Sequence, residues 1–386
     1  MILNTPKKKI TILHPHFLKH GGASKVVLEL SSRLINQGMS IEIITTRTNP
    51  DVIKNYPNLN FICLSNLTTG NLFFWILFPL FYLRLSKTLK KNDAKIIFNH
   101  SLAIYWGAAY KIFHKETIIV NYFHDLGMPY FDDKEELEGL LRFSKLILRI
   151  VSPIFKILNK LVIKQSDFII SNSNFTASEI QKKYGKKTDI IIYPAVNYDT
   201  FKPTKEKVEC IYTLGRLEKI KKIDLIIKSF ATYTQKYDDE NLKLLIIGAG
   251  IEESKLKSLC ESLHVKKRVA FHKDCSPAEV AEIAGKSRLG LFFRKNEPFG
   301  IAAVESMACG TPILGINSGG IAETVVNGET GVLIAADKDM IADKIHFLLQ
   351  NKKILTEYSQ NAVKHVKNSF DWNIEARKLS IFLKNL

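Results

Sequence analysis

Short apolar runs, rich in β-branched residues, recur along the whole chain and alternate with amphipathic segments. Each run is continuous in apolar character, which is typical of strands buried on both faces of a parallel sheet. The intervening segments have the pattern of helices that cover such sheets. We therefore predict an α/β protein with two Rossmann-like halves. The predicted strands are Ile10–Leu13, Ile41–Thr45, Phe61–Leu64, Lys95–Phe98, Thr117–Val120, Phe168–Ser171, Ile190–Tyr193, Glu209–Leu214, Leu242–Ile247, Val269–Phe271, Leu289–Phe293, Pro312–Gly315 and Gly331–Ile334.

Two domains are expected because 386 residues exceed what one hydrophobic core usually supports. Hydrophobic residues make up 46% of the chain, which is enough for two cores. The join is predicted in Pro194–Lys207, a stretch with two prolines and many polar residues that follows the last strand of the first half.

The net charge of +17 is concentrated in residues 1–200, where 26 Lys and Arg stand against 15 Asp and Glu. An excess of this size predicts an anionic partner. Nucleic acid, an acidic membrane surface and a phosphorylated substrate all satisfy that requirement, and composition does not choose among them.

The cysteines and the N-terminal residues bear on the compartment. Five widely spaced cysteines without a Cys-x-x-Cys pair argue against a disulfide framework or a zinc site, and so favour a reducing compartment. The basic cluster near the start leads directly into the first predicted strand, with no apolar signal segment between them. We expect a protein on the cytoplasmic side of a membrane.

Two carboxylates eight residues apart, Glu297 and Glu305, mark the most informative stretch of the chain. Glu297 follows the apolar run 289–293, so it lies on the loop that leaves a strand. Glu305 lies on the next predicted helix, about Phe299–Cys309, whose free backbone N–H groups favour an anionic ligand. Taken alone, such a pair is more often a helix cap and a solvated face.

The wider pattern resembles a known family. Glu297 and Glu305, with PFG between them, ACGTP after them and Gly319-Gly320 further on, are similar to the signature of the retaining, two-domain family 4 glycosyltransferases. The resemblance implies that Glu297 holds hydroxyls of the donor sugar and Glu305 the ribose of its nucleotide. It also places Phe299, Gly300 and Ile301 at the donor site.

Two loops match the parts of that family that bind the donor diphosphate. Gly21-Gly22 follows the first strand, where glycines let backbone amides approach phosphate oxygens, although such a pair is more often only a turn. The second loop, GRLEKIKK, begins at Gly215 and resembles the family's Gly-Arg-Leu-x3-Lys element. By that match Arg216 and Lys221 neutralise the leaving diphosphate. The family usually has glycine at the position of Lys222, which leaves the backbone conformation of this loop open.

His124 follows the strand Thr117–Val120, at the end where open α/β sheets bind ligands. A lone histidine is often only a structural residue. The resemblance makes His124 a catalytic-site residue that faces the donor sugar, beside Glu297, Arg216 and Lys221. The neighbouring Asp125 either orients the ring or caps a turn.

Two further patterns receive simpler interpretations. Gly248-Ala249-Gly250 lacks the third glycine of a dinucleotide fingerprint, so it is interpreted as a tight turn near the donor site. Asp337-Lys338-Asp339 begins the predicted helix Met340–Leu349, and helix capping explains it better than metal binding. We predict no metal and no other cofactor, the nucleotide-sugar being a substrate.

The resemblance covers nearly the whole chain and implies the GT-B architecture, an α/β fold whose two parallel sheets face a central cleft. Residues 1–195 would form an acceptor-binding domain and residues 196–370 a nucleotide-sugar-binding domain. A C-terminal helix over 371–386 would cross back to the N-terminal domain.

Two segments of the first half predict contact with an anionic membrane surface. Leu72–Leu83 is uncharged, too short to span a bilayer, and long enough to lie in an interface or fill a core. In Leu137–Lys164, basic residues recur at helical spacing opposite an apolar stripe, with Pro153 interrupting the helix. A core-packed helix with a solvated basic face is the alternative. The stripe comprises Arg142, Lys145, Arg149, Lys156, Lys160 and Lys164.

Three segments, Gly21–Gly38, Ser166–Ile180 and Ile192–Asn197, are most similar to the early dolichol-pathway mannosyltransferases and their prokaryotic relatives. That likeness implies GDP-mannose as donor and a polyprenyl-linked or other glycan as acceptor. We expect a peripheral membrane mannosyltransferase that binds no nucleic acid. The alternatives are a transferase using a UDP-sugar and a soluble acceptor, a GT-B UDP-sugar 2-epimerase, and a noncatalytic basic protein that binds membrane or nucleic acid.

Overall fold

The computed structural model of the chain describes residues 9–19, 21–68, 72–125, 153, 156–204 and 206–386. These residues divide into two compact units. The first unit contains the described residues up to Pro194 together with Trp372–Leu386, and the second contains Ala195–Asp371. The first unit is therefore discontinuous in sequence.

Seven parallel strands form the sheet of the first unit, in the order β3-β2-β1-β4-β5-β6-β7. Neighbouring strands are joined in parallel register, for example Ile12 with Phe98 and Val120 with Phe168. The order reverses between β1 and β4, which is where ligands bind in doubly wound sheets. The strands are β1 Lys9–Leu13, β2 Ser40–Thr45, β3 Phe61–Cys63, β4 Ile96–His100, β5 Ile118–Phe123, β6 Phe168–Ser171 and β7 Ile190–Ile191.

The helices of the first unit bury one apolar face each. α1, for example, buries Val27, Leu30 and Leu34. α1 begins at Gly22, three residues before the predicted start at Lys25, so the Gly21-Gly22 pair forms its N-terminus. The helices are α1 Gly22–Asn36, α2 Pro50–Ile53, α3 Leu72–Ile76, α4 Phe78–Lys91, α5 Ile104–Phe113, α6 (residues 156–165) and α7 Asn174–Tyr184.

The second unit has a six-stranded parallel sheet in the order β10-β9-β8-β11-β12-β13. Its order reverses between β8 and β11, which places a second ligand-binding position at the carboxyl ends of those strands. The strands are β8 Cys210–Leu214, β9 Lys243–Ile247, β10 Val269–His272, β11 Leu289–Phe292, β12 Ile313–Ile316 and β13 Gly331–Ile334.

The core of the second unit is built from strand residues such as Leu244, Leu291 and Leu314, packed against helix residues such as Phe230 and Ile345. The helices are α8 Ile223–Tyr237, α9 Glu253–Ser262, α10 Pro277–Lys286, α11 Ile301–Ala308, α12 Ile321–Thr324, α13 Lys338–Gln350 and α14 Lys352–Ser369. Two parallel sheets, each covered by helices, confirm the predicted α/β fold with two Rossmann-like halves.

The last helix, α15 Trp372–Lys384, belongs to the first unit. It packs against α1, where the Arg33 guanidinium donates to Asn373 Oδ1 at 3.1 Å. The carboxylate of Glu375, which is 0% exposed, accepts a 2.9 Å hydrogen bond from the Tyr193 backbone N–H and pairs with Lys378 at 2.7 Å. α15 is thus attached to the first unit by a buried carboxylate as well as by apolar contacts.

The uncharged segment Leu72–Leu83 forms α3 and the start of α4, and it has two different faces. Phe74 and Phe81 are buried with Trp106 in an aromatic cluster, with ring centroids 4.8 to 6.1 Å apart. Phe73 and Leu83, by contrast, are 64% and 65% exposed. The segment therefore contributes to the core and also carries apolar side chains that are mostly exposed.

Candidate active site

A cavity lies at the carboxyl ends of β8 and β11 in the second unit, at the point where the strand order reverses. It brings together Lys221, Glu297, Gly300 and Ile301, four of the residues predicted from the sequence to bind the donor. The lining residues are Thr213, Leu214, Lys221, Ile223, Phe292, Phe293, Arg294, Glu297, Gly300, Ile301, Ala302, Ala303 and Ile321.

Glu297 forms ion pairs with two basic residues in this cavity. Its carboxylate accepts a hydrogen bond from Lys221 Nζ at 2.7 Å, and Arg294 Nη1 lies 3.5 Å from its other oxygen. Burial by itself raises the pKa of Glu297, but the attraction of Lys221 and Arg294 outweighs burial and leaves that pKa below its usual value. Glu297 is therefore an ionised hydrogen-bond acceptor at neutral pH.

Three glycines explain how the loop carrying Glu297 is held. Gly300 precedes α11 in the left-handed region, at φ +93°. A Cβ on Gly319 would lie 2.6 Å from the backbone N of Glu297, and one on Gly320 would lie 2.4 Å from the carbonyl oxygen of Pro298. The Gly-Gly pair is needed because two backbone segments meet here without space for side chains.

The loop after β8 carries Arg216 and then a short 3₁₀ turn, Lys219–Lys221, which ends with Lys221. Arg216 is 60% exposed at its side chain and pairs with Glu218 at 2.6 Å. Lys222, which stands where the family usually has glycine, adopts a left-handed conformation at φ +55°. The backbone conformation that favours glycine is thus kept, at the cost of strain in a residue with a side chain.

The turn Gly248-Ala249-Gly250 supports the same loop. A Cβ on Gly248 would lie 2.0 Å from the carbonyl oxygen of Gly215, and one on Gly250 would lie 2.3 Å from that of Leu217. The Leu217 backbone N–H donates to the Ala249 carbonyl at 3.0 Å. The interpretation as a tight turn beside the donor-site loop agrees with this packing.

Of the predicted donor residues in the second unit, Arg216, Phe299 and Glu305 are not among the described residues that line the cavity. The Phe299 side chain is 3% exposed and packs edge-on against Phe370, with ring centroids 5.5 Å apart, so only its backbone can face a ligand. Glu305 lies on α11, partly buried, and is not among the described residues that line the cavity.

Arg294 was missed in the sequence. It lies two residues after the end of β11, and its guanidinium reaches the Glu297 carboxylate. Its place in the sequence could have identified it. Arg294 is a basic residue at the carboxyl end of a central strand, and it lies three residues before Glu297 on the loop that leaves the same strand.

The first unit gathers histidines at the corresponding edge of its sheet. His14 follows β1, His100 ends β4 and His124 follows β5, and these three strands are adjacent. His14 Nε2 lies 3.2 Å from Ser24 Oγ, in the first turn of α1. His100 Nδ1 lies 3.0 Å from His124 Nε2. His14 and His100 were not singled out from the sequence.

Burial keeps these imidazoles uncharged. It lowers the pKa of His124 to about 3, and burial together with the neighbouring imidazoles holds the pKa values of His14 and His100 well below the usual range. The His124 ring is hydrogen-bonded through Nε2 to His100 Nδ1.

The acidic residues at the start of α13 have a structural role. Asp337 is the N-cap, and its carboxylate accepts from the backbone N–H groups of Asp339 and Met340 at 3.0 and 2.8 Å. This agrees with capping as the explanation of the Asp-x-Asp pattern. In the part of the chain that the structure describes, no three histidine, cysteine or acidic side chains are grouped as metal ligands.

Models of two protein families match consecutive parts of the chain. The model described as Glycosyltransferase Family 4 matches residues 20–200, and the model described as Glycosyl transferases group 1 matches residues 197–365. The chain belongs to glycosyltransferase family 4. The glycosyltransferase activity expected from the motif around Glu297 is thereby confirmed.

Two relatives indicate the range of this family. The N-acetyl-alpha-D-glucosaminyl L-malate synthase of Bacillus anthracis is 25% identical over 370 residues, covering 91% of this chain and 90% of the relative. The Alpha-1,3/1,6-mannosyltransferase ALG2 of Rhizomucor pusillus is 26% identical over 272 residues, covering 59% and 60%. This glycosyltransferase therefore resembles relatives whose names specify different products.

Solved structures agree on the fold. The sucrose-phosphate synthase of Thermosynechococcus elongatus superposes with a TM-score of 0.80 at 19% identity, covering 98% of this glycosyltransferase and 99% of that chain. The Anabaena protein HepE, solved in complex with UDP and glucose, superposes with a TM-score of 0.78 at 17% identity, covering 98% and 99%. These likenesses confirm the GT-B fold class.

Proposed function

We propose that this glycosyltransferase transfers a hexose from a nucleotide diphosphate to a lipid-linked glycan with retention of configuration, and that the hexose is mannose carried by GDP. The observation that carries the proposal is the Lys221–Glu297–Arg294 cluster at the switch point of the second sheet. The cluster offers an ionised carboxylate to sugar hydroxyls, and its Lys221 is a cation for the diphosphate.

In the proposed reaction the bond between the anomeric carbon and the diphosphate oxygen breaks, and the acceptor hydroxyl forms the new bond on the same face of the sugar. The hydroxyl proton passes to an oxygen of the departing diphosphate. Lys221 and Arg216 stabilise the negative charge that grows on this leaving group. Backbone N–H groups at the start of α1, beside Gly21 and Gly22, are proposed as further donors to it.

Three other side chains complete the proposed donor site. Glu297 accepts hydrogen bonds from sugar hydroxyls, because its low pKa keeps it ionised. Glu305 binds the ribose of the nucleotide, and His124 contacts the transferred sugar. No metal or other cofactor takes part in the proposal.

A membrane-bound acceptor is supported by the outer helices of the first unit. α4 contacts α5 through Tyr82 OH and the Ala109 carbonyl, and α5 contacts α6 through Tyr105 OH and Asn159 Oδ1. Exposed apolar and basic side chains lie on these neighbouring helices, which is the composition of a surface that binds anionic lipid. We call this set the apolar–basic face: Phe73, Ile76, Leu77, Leu80, Leu83, Arg84, Lys87, Lys90, Lys91, Ile112, Phe113, Lys156, Ile157, Lys160 and Lys164.

The other half of the predicted basic stripe, Arg142, Lys145 and Arg149, lies outside the described residues. Within the described part of the chain, no helix combines the length and apolar character needed to cross a bilayer. We propose peripheral attachment through the apolar–basic face on the cytoplasmic side.

A second candidate is a UDP-sugar donor with a soluble acceptor. It is favoured by the similarity to the malate synthase, which extends over 91% of this chain, whereas that to the mannosyltransferase covers 59%. The two candidates differ in donor base and in acceptor, so one assay separates them.

The test is release of free nucleotide diphosphate from GDP-mannose, UDP-glucose and UDP-N-acetylglucosamine, each with polyprenyl-diphosphate-linked glycan, with L-malate, and without acceptor. Acceptor-dependent release from GDP-mannose with the lipid-linked glycan supports the first candidate. Release from a UDP-sugar only with the soluble acceptor replaces it by the second. Conversion of the sugar without transfer would identify an epimerase.

A further inference from the structure

His100 and His124 are adjacent imidazoles on neighbouring strands, and they share one hydrogen bond. His100 Nδ1 and His124 Nε2 are 3.0 Å apart. The His100 ring is fixed by its neighbours: it stacks on Tyr122 with centroids 5.1 Å apart at 22°, and its centroid lies 4.4 Å from that of Phe98. His100 is 1% exposed, so its ring has one defined position.

A hydrogen bond between two neutral imidazoles couples their tautomers. One of the facing nitrogens must carry the proton and the other must accept it. If His100 Nδ1 is the donor, His124 carries its own proton on Nδ1. If His124 Nε2 is the donor, His124 Nδ1 is a bare acceptor. The state of His100 therefore decides whether His124 offers a donor or an acceptor at its other nitrogen.

The far side of the His100 ring favours the first arrangement. His100 Nε2 is buried and has no hydrogen-bond partner among the described residues. A buried N–H group without an acceptor is rarer in proteins than a buried acceptor that lacks a donor. An unprotonated Nε2 places the His100 proton on Nδ1, where it is donated to His124.

The second ring nitrogen of His124, Nδ1, is the one that would carry the proton of that ring. His124 is half-buried, and its Nδ1 has no hydrogen-bond partner in the described part of the chain. On the other side of His100, His14 is held by Ser24. Burial lowers the pKa of all three imidazoles. His100 and His124 are therefore both neutral, and a single N–H group of one ring is donated to the other.

We propose that His100 is a positioning residue, which holds His124 in the Nδ1–H tautomer so that His124 donates a hydrogen bond to an oxygen of the transferred sugar. The hydrogen bond from His124 to the sugar rests on the proposed sugar transfer, whereas the effect of His100 on the His124 tautomer does not. Free histidine favours the Nε2–H tautomer, so the protein environment must supply the preference for Nδ1–H.

The test combines nitrogen NMR with kinetics on the full chain. In protein labelled with ¹⁵N-histidine, the two tautomers have distinct ring-nitrogen shifts, and the His124 signals are identified by their loss in His124→Gln. We expect His124 to be protonated at Nδ1 at pH 7. In His100→Leu, which keeps a buried apolar side chain, His124 should change to Nε2–H. In His100→Asn, whose amide N–H replaces the donor, it should keep Nδ1–H.

Steady-state kinetics are measured on the same His100 variants. His100→Leu should lower kcat about 10- to 100-fold, the usual cost of removing the partner that orients a functional histidine, with the KM for the donor changed less. His100→Asn should restore most of that loss. His114→Asn is the matched control, because His114 stacks on Tyr110 in the same unit and makes no hydrogen bond to another imidazole.

An Nε2–H tautomer at His124 in the unmodified protein, or an unchanged tautomer in His100→Leu, would overturn the proposal. A changed tautomer with unchanged kcat would overturn the role in transfer. If the unmodified protein transfers no sugar from any donor, the proposed function fails, while the NMR experiment still decides whether His100 sets the tautomer.

Discussion

The two sheets differ in their electrostatics at the edges where the strand order reverses. In the second unit, a half-buried carboxylate, Glu297, is matched by two cations, Lys221 and Arg294. In the first unit, three imidazoles lie together and burial keeps them neutral. Charged groups suit a place where a diphosphate gains negative charge, and neutral donors and acceptors suit a place where hydroxyls are held. The comparison predicts different responses to mutation, pH and lipid.

The largest effect is expected from the cations of the second unit. Lys221→Ala should lower kcat/KM, because it removes a charge that stabilises the leaving diphosphate. The loss of transition-state stabilisation should be on the order of 2–4 kcal/mol. Arg216→Ala should have an effect in the same direction. Lys219→Ala, in the same turn, is the control. Steady-state kinetics measure all three, and near-normal activity in both Lys221→Ala and Arg216→Ala would remove the charged edge from the mechanism.

A smaller effect is expected at the two glutamates, with different readouts. Glu297→Gln should lower kcat, because the sugar hydroxyls lose a charged hydrogen-bond acceptor. The activation free energy should rise by about 1.5–3 kcal/mol. Glu305→Gln should instead weaken the binding of free nucleotide diphosphate. Calorimetric titration of each variant with GDP and UDP separates the effects, and loss of nucleotide affinity in Glu297→Gln alone would reverse the two roles.

The neutral edge should respond to pH before the charged edge does. The pKa values of His14, His100 and His124 are lowered in the folded state from an ordinary value of 6.5. Their contribution to stability is therefore complete above pH 6.5 and is lost as the pH falls, by at most about 1.4 kcal/mol per pH unit for each histidine. The pKa of Glu297 is lowered from 4.5, so its contribution is lost only below that pH.

Urea titrations at several pH values between about 5 and 7.5 measure this difference. The free energy of unfolding should fall towards pH 5, and it should fall less steeply in His100→Leu. The same slope in both proteins would mean that the His100 imidazole does not contribute to the acid sensitivity of the fold.

The smallest effect per residue is expected on the surface of the first unit. Each basic residue near an anionic membrane contributes about 1 kcal/mol, and salt weakens this attraction. Changing Lys156, Lys160 and Lys164 together to Glu should reduce flotation with anionic liposomes. The control is Lys352→Glu with Lys353→Glu, which alters exposed lysines of the second unit.

Replacing Phe73, Leu80 and Leu83 by Ser should remove the part of membrane binding that resists salt. Equal binding of the unmodified protein to neutral and anionic vesicles, or binding to neither, would make the apolar–basic face an ordinary surface and favour the soluble acceptor.

The two edges also differ in how far the sequence predicted them. The second edge has a local sequence pattern. Glu297, Lys221 and the glycines around them each follow the end of a strand, and the apolar runs in the sequence predict where those strands end. His100 lies beyond the predicted strand Lys95–Phe98, because apolar character ends at Phe98, whereas β4 continues to His100. Its partner is 24 residues away, and a hydrogen bond between strands leaves no pattern along the chain.

The segment Leu72–Leu83 shows a different limit of sequence analysis. Every residue in it is uncharged, so hydropathy does not tell Phe73 from Phe74. The distinction comes from Trp106, more than 20 residues later, which packs against Phe74 and leaves Phe73 exposed. Which side of an apolar helix is covered depends on a partner that is distant in sequence.

The attachment of α15 to the first unit sets an order of events during synthesis. The described residues of the second unit, Ala195–Asp371, are continuous in sequence, and all of them are made before α15. The first unit, although made earlier, acquires the Glu375 carboxylate that accepts from Tyr193 only after that whole stretch has been translated. At 5–20 residues per second, the delay is roughly 10–35 s. During that interval the face of α1 that α15 covers stays open to chaperones and to other nascent chains.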